Sequence, residues 1–593
     1  MKDEQATSTT SLEVLHEHIN SPLAVISKLF DEYKAGLGEN IQHADSFGKI
    51  VKDRFEDTFG SQEEIERIPV FDRVSRSGNL KNGTLVRFRC MVQDPSYGEE
   101  LHLSVAHLIN RETGETKQKF SQYTDADHVL DEGWEVDYNA PDNVFTEKEV
   151  AYCVSVPGQS GWAQPEAPGT SLEGALGSMS ISNDAEDGSR DEKTQLKYPL
   201  RGEKHASALV KFYTPSTAPK VLSLIDVVGI YELGFNMKDQ GEDDDTRMSW
   251  PCIHSIYHSS VGIDKLVSGL PETSASDYAD RHRMCVAHLT SILGGDGLAA
   301  QYLLLHLLSK TVAVQDAKVG KFSLNLIGFP DALNDQAHPG TFSLSNATTE
   351  WVSKALAQLV PRSVEIPFDL KLLNGVSFVP NAESGDLRAG VLQLASDTQI
   401  VCDETCLHEG TLGEQGVRNL QALQTVILDQ TVSYVYPYQS IEMASNLRVL
   451  VLSTGKSILQ NDCDVYLSEP SVRFLSGILD GKPVDLKPLD PMHTEQLRQY
   501  LESARHLDFS VPKDVSDAIS SEYAELRRKA HDSGSKMMSQ TELAQSVTVA
   551  RLVSISKGEN ELTMESWKEA CALEELRGER NQKHAAAATK SKQ

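Results

Sequence analysis

The first clear pattern along the chain is amphipathic and helical. Ser21 precedes Pro22, and apolar residues follow at helical spacing as far as Tyr33, which is typical of a capped helix start. Further along, apolar and polar residues mix as they do in half-buried strands. These β-rich segments are 83–94, 101–108, 150–158, 207–213 and 224–233. The pattern predicts a short helical region, 1–78, followed by a strand-rich domain.

The strand-rich domain is predicted to be an OB-like β-barrel over 79–235. Segment 224–233 resembles the Asp-Val-Val-x-Gly strand entry common in OB barrels. Residues 164–195 interrupt the domain and are rich in Gly, Ser, Pro and acidic residues, so they are predicted to be disordered. An acidic run, Lys238–Arg247, is predicted to end the domain, which leaves 236–280 as an acidic linker and connecting segment.

After Asp277 the pattern changes to longer helices that alternate with buried strands, as in an α/β domain. Leu293–Lys310 is a Gly-rich turn that runs into a helix with apolar residues on nearly every face. That arrangement is typical of a phosphate-binding loop. Residues 281–480 are predicted to be this α/β core, 481–577 a helical lid, and 578–593 a disordered tail.

Charge and cysteine content limit the function. The 593 residues include 56 Lys+Arg and 86 Asp+Glu, and 56 − 86 gives a net charge of −30, which opposes sequence-independent binding to phosphate backbones or anionic lipid. No apolar run is long enough for a membrane span, and the first 20 residues lack the features of a signal peptide, which predicts a cytosolic or nuclear protein.

The eight cysteines are scattered, so reduced thiols are expected. The tightest cluster, Cys402, Cys406 and His408, has no second Cys/His pair at zinc-site spacing. Buried thiols are therefore favoured over metal ligands at this cluster.

Leu293–Lys310 resembles the Gly-Asp-Pro-Gly-Thr-Ala-Lys-Ser loop of MCM replicative helicases. In that match Gln301 stands at the lysine position, Tyr302 at the Mg²⁺-binding hydroxyl, and Leu298 at the second glycine. Gln cannot supply the positive charge that offsets a triphosphate. The resemblance therefore implies a degenerate AAA+-like core, in which the loop cannot support hydrolysis.

Further segments resemble the same helicases in the same order. Asp403 and Glu404 end an apolar strand at the place of the Walker B pair, and 423–434 matches the following stretch at Gln430–Ser433. Where an arginine finger would follow, the chain has Asn461–Asp464, with the acidic Asp462 in place of the arginine.

The C-terminal segments resemble the helical lid of those helicases. They are 497–507, 522–530 and 549–576. The lid's sensor arginine aligns near Thr541 or Ala544, and neither residue is basic. The sequence therefore predicts no catalytic residue, no cofactor-binding residue, no metal site and no cofactor.

Taken together, the chain resembles the MCM-binding proteins, divergent relatives of the MCM helicase subunits. The resemblance is carried by 21–30, 85–94, 152–162, 202–213, 296–310, 320–330 and 392–404. It implies a nuclear factor that binds MCM subunits, reaches chromatin through them, promotes their removal late in S phase, protects new subunits, and supports sister-chromatid cohesion. It implies no membrane association and no sequence-specific DNA binding. An active AAA+ ATPase and a single-strand DNA-binding OB protein remain the alternatives. Arg527–Lys529 is favoured as a solvated helix face over a nuclear import signal.

Overall fold

The computed structural model describes residues 12–37, 44–71, 80–125, 133–165, 194–213, 218–234, 250–262, 275–314, 317–331, 346–482, 490–534 and 539–591. The chain divides into two compact units. The first comprises Met1–Pro157, Gln164–Val261 and Leu387–Ala389; the second comprises Gly158–Ala163, Gly262–Asp386 and Gly390–Gln593. The acidic run Lys238–Arg247 and all but the ends of the predicted insertion 164–195 lie outside the described residues.

The first unit combines N-terminal helices with a large mixed sheet. Residues 12–20 are helical. The helices that follow are α1 (Pro22–Leu37), α2 (Ala44–Thr58) and α3 (Gln62–Glu66). The strands are β1 (Leu85–Asp94), β2 (Glu99–Asn110), β3 (Thr116–Phe120), β4 (Trp134–Val136), β5 (Val144–Ser155), β6 (Ser207–Phe212), β7 (Leu224–Gly234) and β8 (Trp250–Ser260). The predicted helix at Ser21–Tyr33 and the five predicted strand segments are confirmed.

The sheet of the first unit has the order β1-β7-β8-β6-β5-β2-β3, and β4 also pairs with β2. Strand β1 pairs with β5 as well as β7, so the pairings β1-β7-β8-β6-β5 return to their first strand. Only β6 and β8 pair in parallel among these neighbours. Two cores result from the alternation of side chains along β1: Phe88 and Cys90 pack on one face, while Leu85 packs with Phe47 and Phe55 of α2 on the other.

The prediction that 236–280 is a linker is wrong at 250–260. This segment is β8, which pairs with β7 along its length and with β6. Its polar residues concealed the strand: His254 is fully buried and is hydrogen-bonded by Tyr213. The pattern of apolar positions alone therefore missed a central strand.

The second unit contains a parallel sheet surrounded by helices. Its helices are α4 (Ala275–Ile292), α5 (Gly297–Leu308), α6 (Ala347–Ala357), α7 (Leu370–Gly375), α8 (Glu414–Asp429), α9 (Glu469–Leu479), α10 (Pro491–Arg505), α11 (Lys513–Ser533), α12 (Gln540–Ser556) and α13 (Met564–Ser591). Its strands are β9 (Val312–Val314), β10 (Ala317–Val319), β11 (Leu324–Ile327), β12 (Ser363–Pro367), β13 (Gln399–Asp403), β14 (Thr431–Val435), β15 (Ser440–Ala444), β16 (Arg448–Ser453) and β17 (Cys463–Tyr466).

Five of these strands form the order β12-β13-β16-β11-β17, and every neighbouring pair is parallel. Strands β11, β13 and β16 are buried along their whole length, which explains their mainly apolar sequences. The other two sheets are antiparallel hairpins, β9–β10 and β14–β15. The described chain is thus a mixed α/β protein, as the sequence predicts at that level.

The described part of the segment 481–577 is helical as predicted, with α10 to α12 and the first part of α13. These helices share one core with α4, α5 and the parallel sheet. The tail predicted to be disordered at 578–593 is instead helical as far as Ser591, because α13 continues through it. Its Ala585–Ala588 run has high helix propensity, which favours continuation of the helix. Among the described residues, no helix is long and apolar enough to cross a membrane.

Candidate functional site: the carboxyl edge of the parallel sheet

The carboxyl ends of β11, β13 and β16 meet at one edge of the parallel sheet, where ligands bind in open α/β folds. The N–H groups of Gly328 and Phe329, just after β11, both donate to the Ser453 carbonyl at the end of β16, at 2.8 and 3.1 Å. Asp403 and Glu404 follow from β13. The sequence-predicted acidic pair therefore lies at the edge where a phosphate site would be built.

The Asp403 carboxylate is fully buried and is saturated by protein donors. One oxygen, Oδ2, accepts from the Asn346 N–H at 3.3 Å, the Thr349 hydroxyl at 2.7 Å and the Cys406 thiol at 3.1 Å. The other, Oδ1, accepts from the N–H and hydroxyl of Thr405 at 2.9 and 2.6 Å. Asp403 therefore fixes the local backbone and the start of α6, and it has no lone pair directed at a Mg²⁺ ion.

Glu404 is held differently. The Ser457 hydroxyl donates to its Oε1 at 2.6 Å. Burial raises the pKa of Glu404 to about 7, although hydrogen bonds from Ser457 and from the Ile458 and Leu459 backbone act in the other direction. Among the described residues, no Lys or Arg forms an ion pair with Asp403 or Glu404. Glu404 is therefore held by a hydroxyl and by backbone groups rather than by a cationic side chain.

The assignment of 293–302 as a phosphate loop is wrong. A phosphate loop follows a strand, whereas Gly294 and Gly295 form a turn between two helices, α4 and α5. Both glycines have positive φ, and a Cβ at Gly294 would lie 2.5 Å from Phe474. The glycines serve a tight helix–helix connection, so Gln301 does not occupy a catalytic lysine position.

Asp296 in this turn is engaged by protein groups. It accepts from the N–H groups of Ala299 at 3.1 Å and Ser468 at 2.7 Å, and Nη1 of Arg580 in α13 lies 2.9 and 2.8 Å from its two oxygens. Burial opposes ionisation, but the hydrogen bond from Arg580 and those backbone bonds lower the pKa of Asp296 below its usual value. The negative charge at the start of α5 is therefore the Asp296 carboxylate, and its positive partner is Arg580 of α13.

Tyr302 likewise has a structural role. Its ring is fully buried, and its hydroxyl donates to Glu574 of α13 at 2.6 Å. Gln301, its neighbour on α5, is half-buried. The side chains predicted to replace nucleotide-binding groups instead lie on the helix that packs against α13.

The residues predicted at the arginine-finger and sensor-arginine positions lie away from the carboxyl edge of the sheet. Asp462 precedes β17 and accepts from Lys321 Nζ at 2.7 Å and from the Ser323 N–H at 2.9 Å, at the amino edge of the sheet. Thr541 and Ala544 are exposed near the start of α12. The structure does not bring these residues to Asp403.

Cys402 and Cys406 are buried free thiols, as predicted. Cys406 is hydrogen-bonded to Asp403, and burial raises the pKa of both thiols. Neither thiol belongs to a metal-compatible group of ligands within the described residues.

One polar cluster in the first unit was not found from the sequence. Asp125, Glu232 and His254 place their ligand atoms within 4.8 Å of one another, as in a metal site. However, Lys148 Nζ lies 2.8 Å from Asp125, and Lys211 also pairs with it. These ammonium groups already balance the carboxylates, which favours an ion-pair network over a bound cation. A lysine within the otherwise apolar β6 was the available signal.

Comparison with known proteins resolves the family. The model of the mini-chromosome maintenance replisome factor family matches residues 55–192 and 178–581. The chain belongs to this family. Among its relatives, the mini-chromosome maintenance complex-binding protein of Danio rerio is 28% identical over 96% of this chain and 98% of its own length.

Family members of the same name occur in distant organisms. The Arabidopsis thaliana protein is 28% identical over 95% of this chain and 99% of its own length, and the Homo sapiens protein is 27% identical over 85% and 89%. Their names describe binding factors rather than enzymes. The match to the replisome factor family thus covers most of the described residues of this chain.

Proposed function

We propose that this chain is a non-catalytic regulator of DNA replication that binds subunits of the MCM complex. The names of its relatives support the partner. The saturated Asp403 carboxylate at the carboxyl edge is the observation that carries the non-catalytic part, because a Walker B acid must leave an oxygen free for Mg²⁺.

A degenerate AAA+-like core is the best interpretation of the second unit. Its parallel sheet, the acidic pair after a central strand, and the helices α10 to α13 support this view. The strand that would lead into a phosphate loop is then β11 rather than the turn before α5. Its first residues beyond the strand, Gly328 and Phe329, already donate their N–H groups to β16.

An OB-like fold is the corresponding interpretation of the first unit. The pairings that return from β5 to β1 support it. The OB-like and AAA+-like modules then occur in the order expected of an MCM subunit. A chain of that form can occupy the position of a ring neighbour without supplying catalytic groups, which would favour open or disassembled rings.

This role predicts that the protein promotes removal of the MCM helicase from chromatin late in S phase, protects newly made subunits, and supports sister-chromatid cohesion. It also predicts a nuclear location, with chromatin association through MCM subunits. The test of partner binding is purification of the tagged full-length chain from nuclear extract, with identification of bound proteins. MCM subunits absent from the purified material, while the tagged chain is folded, would reject the proposal.

The test of the non-catalytic part is steady-state ATP hydrolysis by the purified chain, with Glu404→Gln as the matched variant. We expect no turnover by either protein. Turnover that is present in the parent and lost in the folded variant would favour an active AAA+ ATPase. The other alternative, a single-strand DNA-binding OB protein, requires salt-dependent binding to an oligonucleotide, which the net charge of −30 opposes.

A further inference from the structure

The β14–β15 hairpin lies between α8 and β16 in the second unit. Its register pairs Thr431 with Ala444 and Val435 with Ser440, and the tip is closed by a hydrogen bond from the Tyr436 N–H to the Gln439 carbonyl at 2.8 Å. At the base, the Ser445 N–H donates to the Gln430 carbonyl at 2.8 Å. The hairpin is therefore closed by hydrogen bonds at both ends.

The outer side of β14 is covered by the protein itself. The Val435 N–H donates to the Pro380 carbonyl at 3.0 Å, and the Val435 carbonyl accepts from the Ala382 N–H at 2.8 Å. Val432 and Tyr434 of the same strand are buried. One strand of the hairpin thus belongs to the folded core.

The outer side of β15 is open. In an antiparallel pair, every second residue directs its backbone N–H and C=O groups away from the partner strand. The hydrogen bonds at the base and tip of the hairpin show which residues these are in β15: Ser440, Glu442 and Ala444. Within the described part of the chain, these outward groups have no hydrogen-bond partner. All three residues are exposed. An unpaired edge of this kind can take up another strand.

The edges of the parallel sheet are treated differently. On β12, the Ser363 N–H donates to the Gly158 carbonyl at 2.8 Å. On β17, Asn581 of α13 donates to the Asp464 carbonyl at 3.0 Å and faces the Tyr466 N–H at 3.5 Å. Folded proteins often cover edge strands in such ways, whereas the outer edge of β15 is uncovered among the described residues and is open to a partner.

The side chains of the hairpin favour a protein partner. Tyr438 at the tip is 100% exposed, and Ile441 is 41% exposed. The sequence has no Lys or Arg from 419 to 447, and Glu442 is the only charged residue in the hairpin. Without cations the hairpin cannot neutralise phosphates, which disfavours nucleic acid as its ligand. A tyrosine beside a free strand edge is typical of an anchor in a protein interface.

We propose that the outer edge of β15 pairs with an extended, neutral or basic segment of an MCM subunit, with Tyr438 as the adjoining anchor. This inference rests on the proposed function, since it assigns a surface to that partner. The backbone of Ser440, Glu442 and Ala444 would supply the hydrogen bonds, and Glu442 would favour a partner segment without acidic residues.

The matched variants are Glu442→Pro and Glu442→Ala. Both remove the carboxylate, but only proline removes the outward N–H and blocks the edge, and it breaks no hydrogen bond within the hairpin. The assay is the affinity of the full-length chain for separate MCM subunits and for their assembled complex. We expect Glu442→Pro to weaken binding by about tenfold or more and Glu442→Ala by about twofold or less. Tyr438→Ser should also weaken binding.

Amide hydrogen exchange of the unmodified chain provides a test that needs no substitution. We expect peptides covering 440–444 to exchange more slowly in the MCM complex than in the free chain. If the parent binds MCM subunits but Glu442→Pro binds like Glu442→Ala, or exchange at 440–444 is unchanged, the inference is wrong and the proposed function stands. If the parent binds no MCM subunit, the proposed function itself fails. Loss of DNA binding or of self-association as the only effect of Glu442→Pro would also overturn the inference.

Discussion

Asp403→Ala should destabilise the second unit, because the carboxylate is a buried acceptor in its core. The substitution removes an acceptor of five hydrogen bonds from inside the core. The hydroxyls of Thr349 and Thr405 can rotate toward other acceptors. The buried N–H groups of Asn346 and Thr405 cannot, so they remain without a partner.

The magnitude follows from these two orphaned groups. Each buried N–H without an acceptor costs about 1–3 kcal/mol, which gives about 4 kcal/mol for the pair. Asp403→Asn keeps one carbonyl oxygen and should cost about half as much. Glu404→Gln, one residue away, keeps an acceptor for the Ser457 hydroxyl and serves as the control for a change of charge at the same edge.

The measurement is urea unfolding followed by both circular dichroism and tryptophan fluorescence, which reports the free energy of unfolding when the two signals coincide. We expect the order of stability to be Glu404→Gln, then Asp403→Asn, then Asp403→Ala at neutral pH. A loss below about 1 kcal/mol in Asp403→Ala would refute the structural role, because it would mean that the carboxylate is not an essential acceptor.

Three further outcomes are expected. Arg580→Ala should lower the free energy of unfolding by about 2–3 kcal/mol at neutral pH, because it leaves the buried Asp296 carboxylate without its ion-pair partner. Thermal unfolding should show a smaller difference from the parent as the pH falls through the lowered pKa of Asp296, where the carboxylate becomes protonated. A constant difference down to pH 2 would contradict this. Glu404→Gln should become more stable relative to the parent as the pH rises from about 4.5 to above 7. The reason is that the parent, whose Glu404 pKa is raised in the folded state, loses stability over that range, whereas glutamine does not titrate. A stability difference that does not change with pH would contradict this. Deletion of 166–193, whose composition cannot contribute a core, should lower the unfolding midpoint by less than about 5 °C, and a larger drop would show that the segment packs.

Five strands of the first unit, β1, β2, β5, β6 and β7, could be predicted because apolar residues recur along them. Segment 207–213 corresponds to β6, and 224–233 to β7. Strand β8 escaped because its buried His254 is polar, and its partners Tyr213 and Glu232 are distant in sequence. A pattern of apolar residues predicts a buried strand only where the buried side chains are themselves apolar.

The phosphate-loop assignment failed for a related reason. A Gly-rich turn before an apolar helix has the same local sequence whether a strand or a helix precedes it. What distinguishes the two cases is the preceding element, which in this chain is the helix α4. Asp296 in the turn then pairs with Arg580, which lies 284 residues away. The acidic pair after β13 was placed correctly, since Asp403 directly follows a continuous apolar run in a parallel sheet. Three of its five hydrogen bonds come from Thr405 and Cys406, which are close in sequence. The other two come from Asn346 and Thr349, whose proximity only the fold reveals.

The most direct test of the central claim is crosslinking with mass spectrometry on the complex between the full-length chain and MCM subunits. The account predicts crosslinks from both modules, with ATP hydrolysis by the chain absent in the same preparation. The first module is the sheet-forming part of the first unit, 80–165, 194–234 and 250–262, and the second is 281–577. Crosslinks confined to 166–193 or to the last residues after 577 would contradict it, because the protein would then tether MCM subunits without imitating a neighbouring subunit.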